Sequence, residues 1–234
     1  MGARRRLRRV KFRALFKSWN SILSLLKKKK QSLKSSDTPT TLSPGDIVGI
    51  CIGHSRPNDA GALSVTGVNE WLYNVRLGAL LKKHLYDEGI SSILYDEYEG
   101  SSYGSAMRWV AHKMAEDKVT VAIELHFNSA SPTASGCEML YYHNSTQGKR
   151  LATMLQREVI VEYNTKNRGI KPMQRFSRGG GFLVKTKCPA VICEPFFGSN
   201  EREWRMFSTS RSLLARVYAR GIKNFLSKSN GLVA

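Results

Sequence analysis

Three short runs rich in Val, Ile and Ala each end at an ionisable residue, and they restrict the fold more than any other feature of the chain. DIVGICIG leads into His54, VTVAIEL leads into His126, and PAVICE closes on Glu194. Runs of this length without polar alternation read as strands buried on both faces. Segments of helical period separate them. One runs from about residue 68 to 88, with Trp71, Leu72, Val75, Leu80 and Leu81 as its apolar side and Gly89 as its stop. Others span 102–117, with Ser102 or Ser105 as cap, then 145–163, 201–207 and 212–226. Further strands are expected at 90–95 and 136–142, and 182–186 reads as short and extended. Strands that alternate with helices predict a single α/β domain whose mixed, mostly parallel sheet is covered by helices on both faces.

Sheets of this kind place their ligand sites at the carboxyl ends of the strands. His54, His126 and Glu194 sit at such ends, and Glu70 falls in the first turn of the helix after the first strand. Two histidines and one carboxylate can hold a zinc ion and leave a coordination position open. The candidate ligands are His54, Glu70 and His126. A second carboxylate near such a centre can move a proton, and Glu194, set between AVIC and FF, is the candidate general base and acid. Glu124, two residues before His126, either accepts a hydrogen bond from that histidine or faces the outer side of the sheet and pairs with a lysine. Asn128 either touches substrate or shapes the turn. His84, His112 and His143 suit surface or structural roles. Asn200 suits a helix cap, and Gly179 to Gly181 suit a rim beside the cleft. On these residues alone the chain reads as a metal-dependent hydrolase assembled from distant segments.

The net charge of +19 is unevenly placed. Residues 1–34 hold thirteen of the 37 Lys and Arg and none of the 18 Asp and Glu, so the remaining 200 residues carry 24 basic and 18 acidic groups, a net of only +6. Val10, Phe12, Leu15, Phe16 and Trp19 recur among the basic residues at roughly helical spacing. Three readings of this segment stay open: an amphipathic helix on an anionic membrane or envelope surface, a solvated extension, and a nucleic-acid contact. Its apolar runs are too short for a secretory signal or a bilayer span. The Ser-, Thr- and Pro-rich stretch that follows is a linker by composition. The expected organisation is therefore a basic extension and linker at 1–44, a catalytic domain at 45–228 and a short tail at 229–234. Cys51, Cys137, Cys188 and Cys193 form no CxxC pair, and a domain of this size does not need disulfides.

GHSRPNDAGALSVTGVNEW, ELHFNSASPTASGCEMLYY and CPAVICEPFFGSNEREW resemble, in that order, the three signature blocks of the zinc-dependent N-acetylmuramoyl-L-alanine amidases, a family of bacterial cell-wall amidases and phage endolysins. The likeness covers about residues 45–226. It implies that His54, Glu70 and His126 bind zinc and that Glu194 is catalytic. It also implies cleavage, in peptidoglycan, of the amide between N-acetylmuramic acid and L-alanine. Two departures stand out. Glu124 occupies a position that is often serine in the family, and Ser-Arg-Pro follows His54 where many relatives carry glycines.

The resemblance implies a monomeric enzyme acting at the cell wall, in the periplasm or envelope, and compatible with a phage-encoded or particle-associated lysin. Two rival readings share the same sequence features. One is a zinc peptidase acting on peptidoglycan stem peptides. The other is a non-catalytic protein that binds envelope or nucleic acid.

Overall fold

A computed structural model describes residues 45–56, 59–177 and 179–229 of the chain. The expectations for residues 1–44 and 230–234 lie outside the described residues. Among the described residues, six strands and six helices follow in the order β1 (Ile47–Ile52), α1 (Glu70–Asp87), β2 (Ser91–Tyr95), α2 (Tyr103–Glu116), β3 (Val121–Leu125), β4 (Cys137–Tyr142), α3 (Thr146–Tyr163), β5 (Asn167–Met173), α4 (Gly180–Lys185), β6 (Ala190–Glu194), α5 (Glu201–Thr209) and α6 (Arg211–Ser229). They form one sheet in the order β2-β1-β3-β6-β4-β5. The first four strands in that order are mutually parallel. β4 runs antiparallel to β6, and β5 runs parallel to β4. The sheet is mixed and mostly parallel, as the buried runs imply.

The three apolar runs are its centre. Every residue of β3 and β6 is buried, as are the last five of β1. Side chains alternate across a strand, so each run feeds both faces. Val48, Ile50, Val121, Ile123, Val191 and Cys193 pack on one face beneath α1, α3 and α6. Cys51, Ala122, Ala190 and Ile192 pack on the other beneath α2 and α4. That second face is apolar along most of its length. At one end its positions become Glu124 on β3, Glu194 on β6 and Glu138 on β4. Glu138 lies directly across from Glu194 in the antiparallel register.

The helices start where local chemistry supplies a cap. The Asn69 side chain accepts the Leu72 amide at 2.8 Å and opens α1. Ser102 and Ser105 satisfy each other's backbone amides and open α2. Asn200 accepts the Glu203 amide at 3.1 Å and opens α5. Gly89, at φ 73°, turns the chain out of α1.

Two elements differ from the sequence reading. Residues 180–185 form the short helix α4, where an extended segment is expected at 182–186. Gly179, at φ 74°, supplies a left-handed N-cap that turns the chain into this helix, and Phe182 and Leu183 are buried on its inner side. The strand β5, NRGIKPM, is absent from the sequence reading. Arg, Gly, Lys and Pro are poor strand signals, and a proline fits a sheet only at an edge such as this one. Gln156 of α3 fastens β5 to β4, donating to the Cys137 carbonyl at 2.7 Å and to Asn167 Oδ1 at 2.9 Å.

Glu203 of α5 is 5% exposed and ties three segments together. It accepts the amides of Gly136 and Phe197, each at 2.8 Å, and the Thr165 hydroxyl at 3.1 Å. Replacing Glu203 with Ala leaves two buried amides without an acceptor, a loss of about 2–3 kcal/mol. Thermal unfolding followed by circular dichroism is expected to show a Tm lower by roughly 4–12 °C.

Candidate active site

The carboxyl ends of β1, β3 and β6 are laced together by backbone hydrogen bonds. Gly53 donates to the Leu125 carbonyl at 3.0 Å, and His126 donates to the Cys193 carbonyl at 3.1 Å. His54 and His126 are therefore set side by side, with ring centroids 5.0 Å apart. His54 adopts φ 62°, a left-handed conformation uncommon for a residue with a side chain, at the turn that leaves β1. The loop after it is pinned to the start of α1, where Glu70 and Trp71 donate to the carbonyls of Ala62 and Ala60.

Glu70 stands between the two histidines. Its Oε1 lies 2.8 Å from His126 Nδ1 and its Oε2 lies 3.3 Å from His54 Nε2. It also accepts the backbone amides of Phe127 at 3.0 Å and Ala62 at 3.1 Å. Only 2% of Glu70 is exposed. Burial works against its charge, but the hydrogen bond to His126 and the attraction of His54 outweigh it and hold the carboxyl well below the usual range. Burial likewise pulls both histidines toward neutrality, and their carboxylate partners reverse the outcome. His54 is raised by Glu70 and Asp59, and His126 is raised further by Glu124 and Glu70. The constellation is built to hold positive charge.

Donor atoms of His54, Glu70 and His126 all lie within 4.8 Å of one another. His54 Nε2 is buried and makes no hydrogen bond, although Glu70 Oε2 is close by. The backbone leaves room for these side chains alone. A Cβ on Gly53 would lie 2.1 Å from His126 Cε1, and one on Gly61 would lie 2.8 Å from Glu70 Oε2. Two nitrogen donors and one carboxylate gathered this closely fit a divalent metal with nitrogen and oxygen preference.

Each histidine has a further carboxylate behind it. Asp59 Oδ1 lies 2.8 Å from His54 Nδ1, and Arg56 holds the other oxygen of Asp59 at 2.5 Å. Glu124 Oε2 lies 3.4 Å from His126 Nε2, while Tyr98 donates to Oε1 at 3.4 Å. Glu124 thus faces the site rather than a lysine on the outer side of the sheet. Asn128 donates to Glu138 Oε1 at 2.8 Å and lines the cavity.

The histidines and Glu194 line one cavity of about 740 Å³, whose wall also includes Glu124, Glu138 and Arg168. A wider groove of about 1110 Å³ opens past His54 and is lined by Trp71, Trp109 and the acidic loop of Asp96, Glu97 and Glu99. Glu194 is 7% exposed. Gly179 reaches the cavity wall, whereas Gly181 lies in α4 against the Tyr103 ring. His84, His112 and His143 lie elsewhere, near Ser212, Glu116 and the Tyr142 ring. Cys51, Cys137 and Cys193 are buried and free, Cys188 is partly buried and free, and burial pushes all four thiols up. Glu138 and Arg168 were not among the residues expected from the sequence. Glu138 lies inside the second signature block but carries no metal or proton-transfer signal there, and Arg168 lies on the strand that sequence patterning missed.

A family model described as N-acetylmuramoyl-L-alanine amidase matches residues 48–224. The chain belongs to this family. No curated protein matches it significantly. Solved structures agree with the fold assignment. The CwlD amidase from Clostridioides difficile, solved in complex with the GerS lipoprotein, is 22% identical with a TM-score of 0.69, over 78% of this chain and 99% of that one. AmiC2 of Nostoc punctiforme, an N-acetylmuramoyl-L-alanine amidase, is 23% identical with a TM-score of 0.66, over 78% and 97%. The catalytic domain of the CD27L endolysin targeting Clostridia difficile is 26% identical with a TM-score of 0.65, over 76% and 97%.

As a member of the amidase family the chain is an enzyme, a hydrolase of cell-wall amides. Among its described residues, no helix is long and apolar enough to cross a membrane. Gly53 supplies a direct test of the metal-compatible cluster. Gly53→Ala places a methyl group where the His126 ring now lies, without demanding an unusual backbone angle. Titration against a competing chromophoric chelator is expected to show divalent-metal affinity reduced at least about tenfold, with the far-ultraviolet circular dichroism spectrum retained.

Proposed function

We propose that this amidase holds one zinc ion through His54, Glu70 and His126 and hydrolyses the amide between N-acetylmuramic acid and L-alanine in peptidoglycan. The observation that carries this reading is the convergence of three donor atoms within 4.8 Å at a cavity that Glu194 also lines. Zinc, when bound, supplies a Lewis acid that polarises the scissile carbonyl and lowers the pKa of water.

The side chains divide the remaining work. Glu194 takes a proton from the attacking water at its carboxylate and returns one to the departing L-alanine nitrogen. Glu124 behind His126 and Asp59 behind His54 fix the orientation and tautomer of the two rings. Glu70 keeps its charge because His126 and His54 attract it and two backbone amides donate to it. Cavities on both sides of His54 suit a substrate that extends in two directions from the bond to be cut. No thiol takes part.

The decisive experiment is mass analysis of defined peptidoglycan fragments after digestion, with and without a chelator. The expected products carry a new L-alanine amino terminus, and they vanish on chelation and return with added zinc. A new amine within the stem peptide would identify a peptidase instead. Binding of fragments without cleavage would identify a non-catalytic binding protein. Glu194→Gln is expected to lower kcat by about 10²- to 10⁴-fold while zinc content stays the same. Near-normal turnover by that variant would remove Glu194 from its role.

Residues 1–34 then act in delivery, since a dense basic segment is drawn to anionic envelope polymers and lipid surfaces. Deleting residues 1–44 is expected to leave hydrolysis of soluble fragments largely intact. Sedimentation with whole envelopes should weaken, and raised salt should weaken that of the full-length protein more than that of the truncated one.

A further inference from the structure

We propose that Arg168 binds a carboxylate of the substrate on the peptide side of the scissile amide, an inference that rests on the amidase reading above. The backbone delivers this residue to the site in an unusual way. Cys137 pairs with Asn167 and Glu138 pairs with Gly169, so Arg168 is the extra residue of a β-bulge. Bulges re-aim side chains, and they concentrate beside active sites. Gly136, at φ 110°, makes room for it, because a Cβ there would lie 2.9 Å from Arg168 Cγ and 2.6 Å from the Lys166 carbonyl oxygen.

Once aimed, the guanidinium is held rigidly. Its Nε donates to Glu138 Oε2 at 2.7 Å, and Cζ lies 4.9 Å from the centre of the Phe197 ring. The other oxygen of Glu138 is fixed by Asn128. Lys171 donates to the Arg168 carbonyl at 2.7 Å and adds a second positive charge to the same wall. Neutralising Glu138 would require only a point charge. Arg168 spends one of its nitrogens on that task, and among the described residues its two Nη groups make no hydrogen bond. A planar fork left open in a cavity wall matches a carboxylate.

The charge balance of the cavity calls for such a group. Glu124, Glu138 and Glu194 line it, with Glu70 behind them. A substrate bearing its own carboxylates is repelled from that wall unless a cation receives it. Arg56 is already engaged by Asp59. Glu138 faces Glu194 across the β4–β6 register, so Arg168 stands one side chain away from the proposed proton carrier. That position corresponds to a part of the substrate close to the bond being cut.

The test compares two muramoyl peptides, one with free peptide carboxylates and one with those groups converted to carboxamides. Each is assayed with wild-type enzyme, Arg168→Gln and Arg168→Lys. Wild type is expected to favour the acid by about 10- to 100-fold in kcat/KM, the worth of a charge-assisted hydrogen bond. Arg168→Gln is expected to bring the acid-to-amide ratio close to one, mainly through KM, and Arg168→Lys is expected to keep part of the preference. A ratio unchanged in Arg168→Gln would overturn the proposal, because a purely structural ion pair lowers both rates alike. A wild-type ratio near one overturns it without any variant. If wild type cut neither peptide between muramic acid and alanine, the amidase reading itself would fail and take this inference with it.

Discussion

A single buried carboxylate organises this active site. Glu70 is almost wholly removed from water, and its charge persists because two imidazoles and two backbone amides surround it. Those partners come from three different parts of the chain. β1 delivers His54, β3 delivers His126 and Phe127, and the loop before α1 delivers Ala62. Separating any of them leaves a buried charge short of partners, which is among the costlier defects a folded protein can carry. The interaction therefore welds the first helix to the sheet at the place where the candidate metal ligands meet.

Much of this was legible in the amino-acid sequence. β1, β3 and β6 announce themselves because strands buried on both faces need unbroken apolar sequence. An ionisable residue at the end of such a run is conspicuous, which is why His54, His126 and Glu194 stand out. Glu70 does not stand out alone, since acidic residues are common in first helical turns. It gains meaning from the block around it. The cap at Asn200 is a local signal and was readable as one.

What stayed hidden depends on pairing. β5 has Ile170 as its one strong strand former and exists because α3 and β4 hold it at the sheet edge. α4 is six residues long, and a glycine in a left-handed turn starts it, so its sequence reads equally well as extended. Glu138 becomes part of the cavity only because β4 runs against β6, which brings the beginning of one strand to the end of the other. Glu203 looks like an ordinary surface acid in the first turn of α5, yet it is buried and satisfies one amide in the distant loop before β4 and one in the loop leading into its own helix. None of these facts has a local signature.

The reversal of β4 and β5 also divides the molecule's labour. Of the residues that can grip a metal, His54 and His126 leave strands at the centre of the sheet, each flanked by neighbours on both sides, and Glu70 opens the helix pinned against them. The opposite wall is raised on an outermost strand with one neighbour and a kink in its pairing. Changes there can reshape what the cavity accepts while the candidate metal ligands remain undisturbed. In a protein of this design, selectivity is free to drift at the margin while the chemistry is locked in the middle.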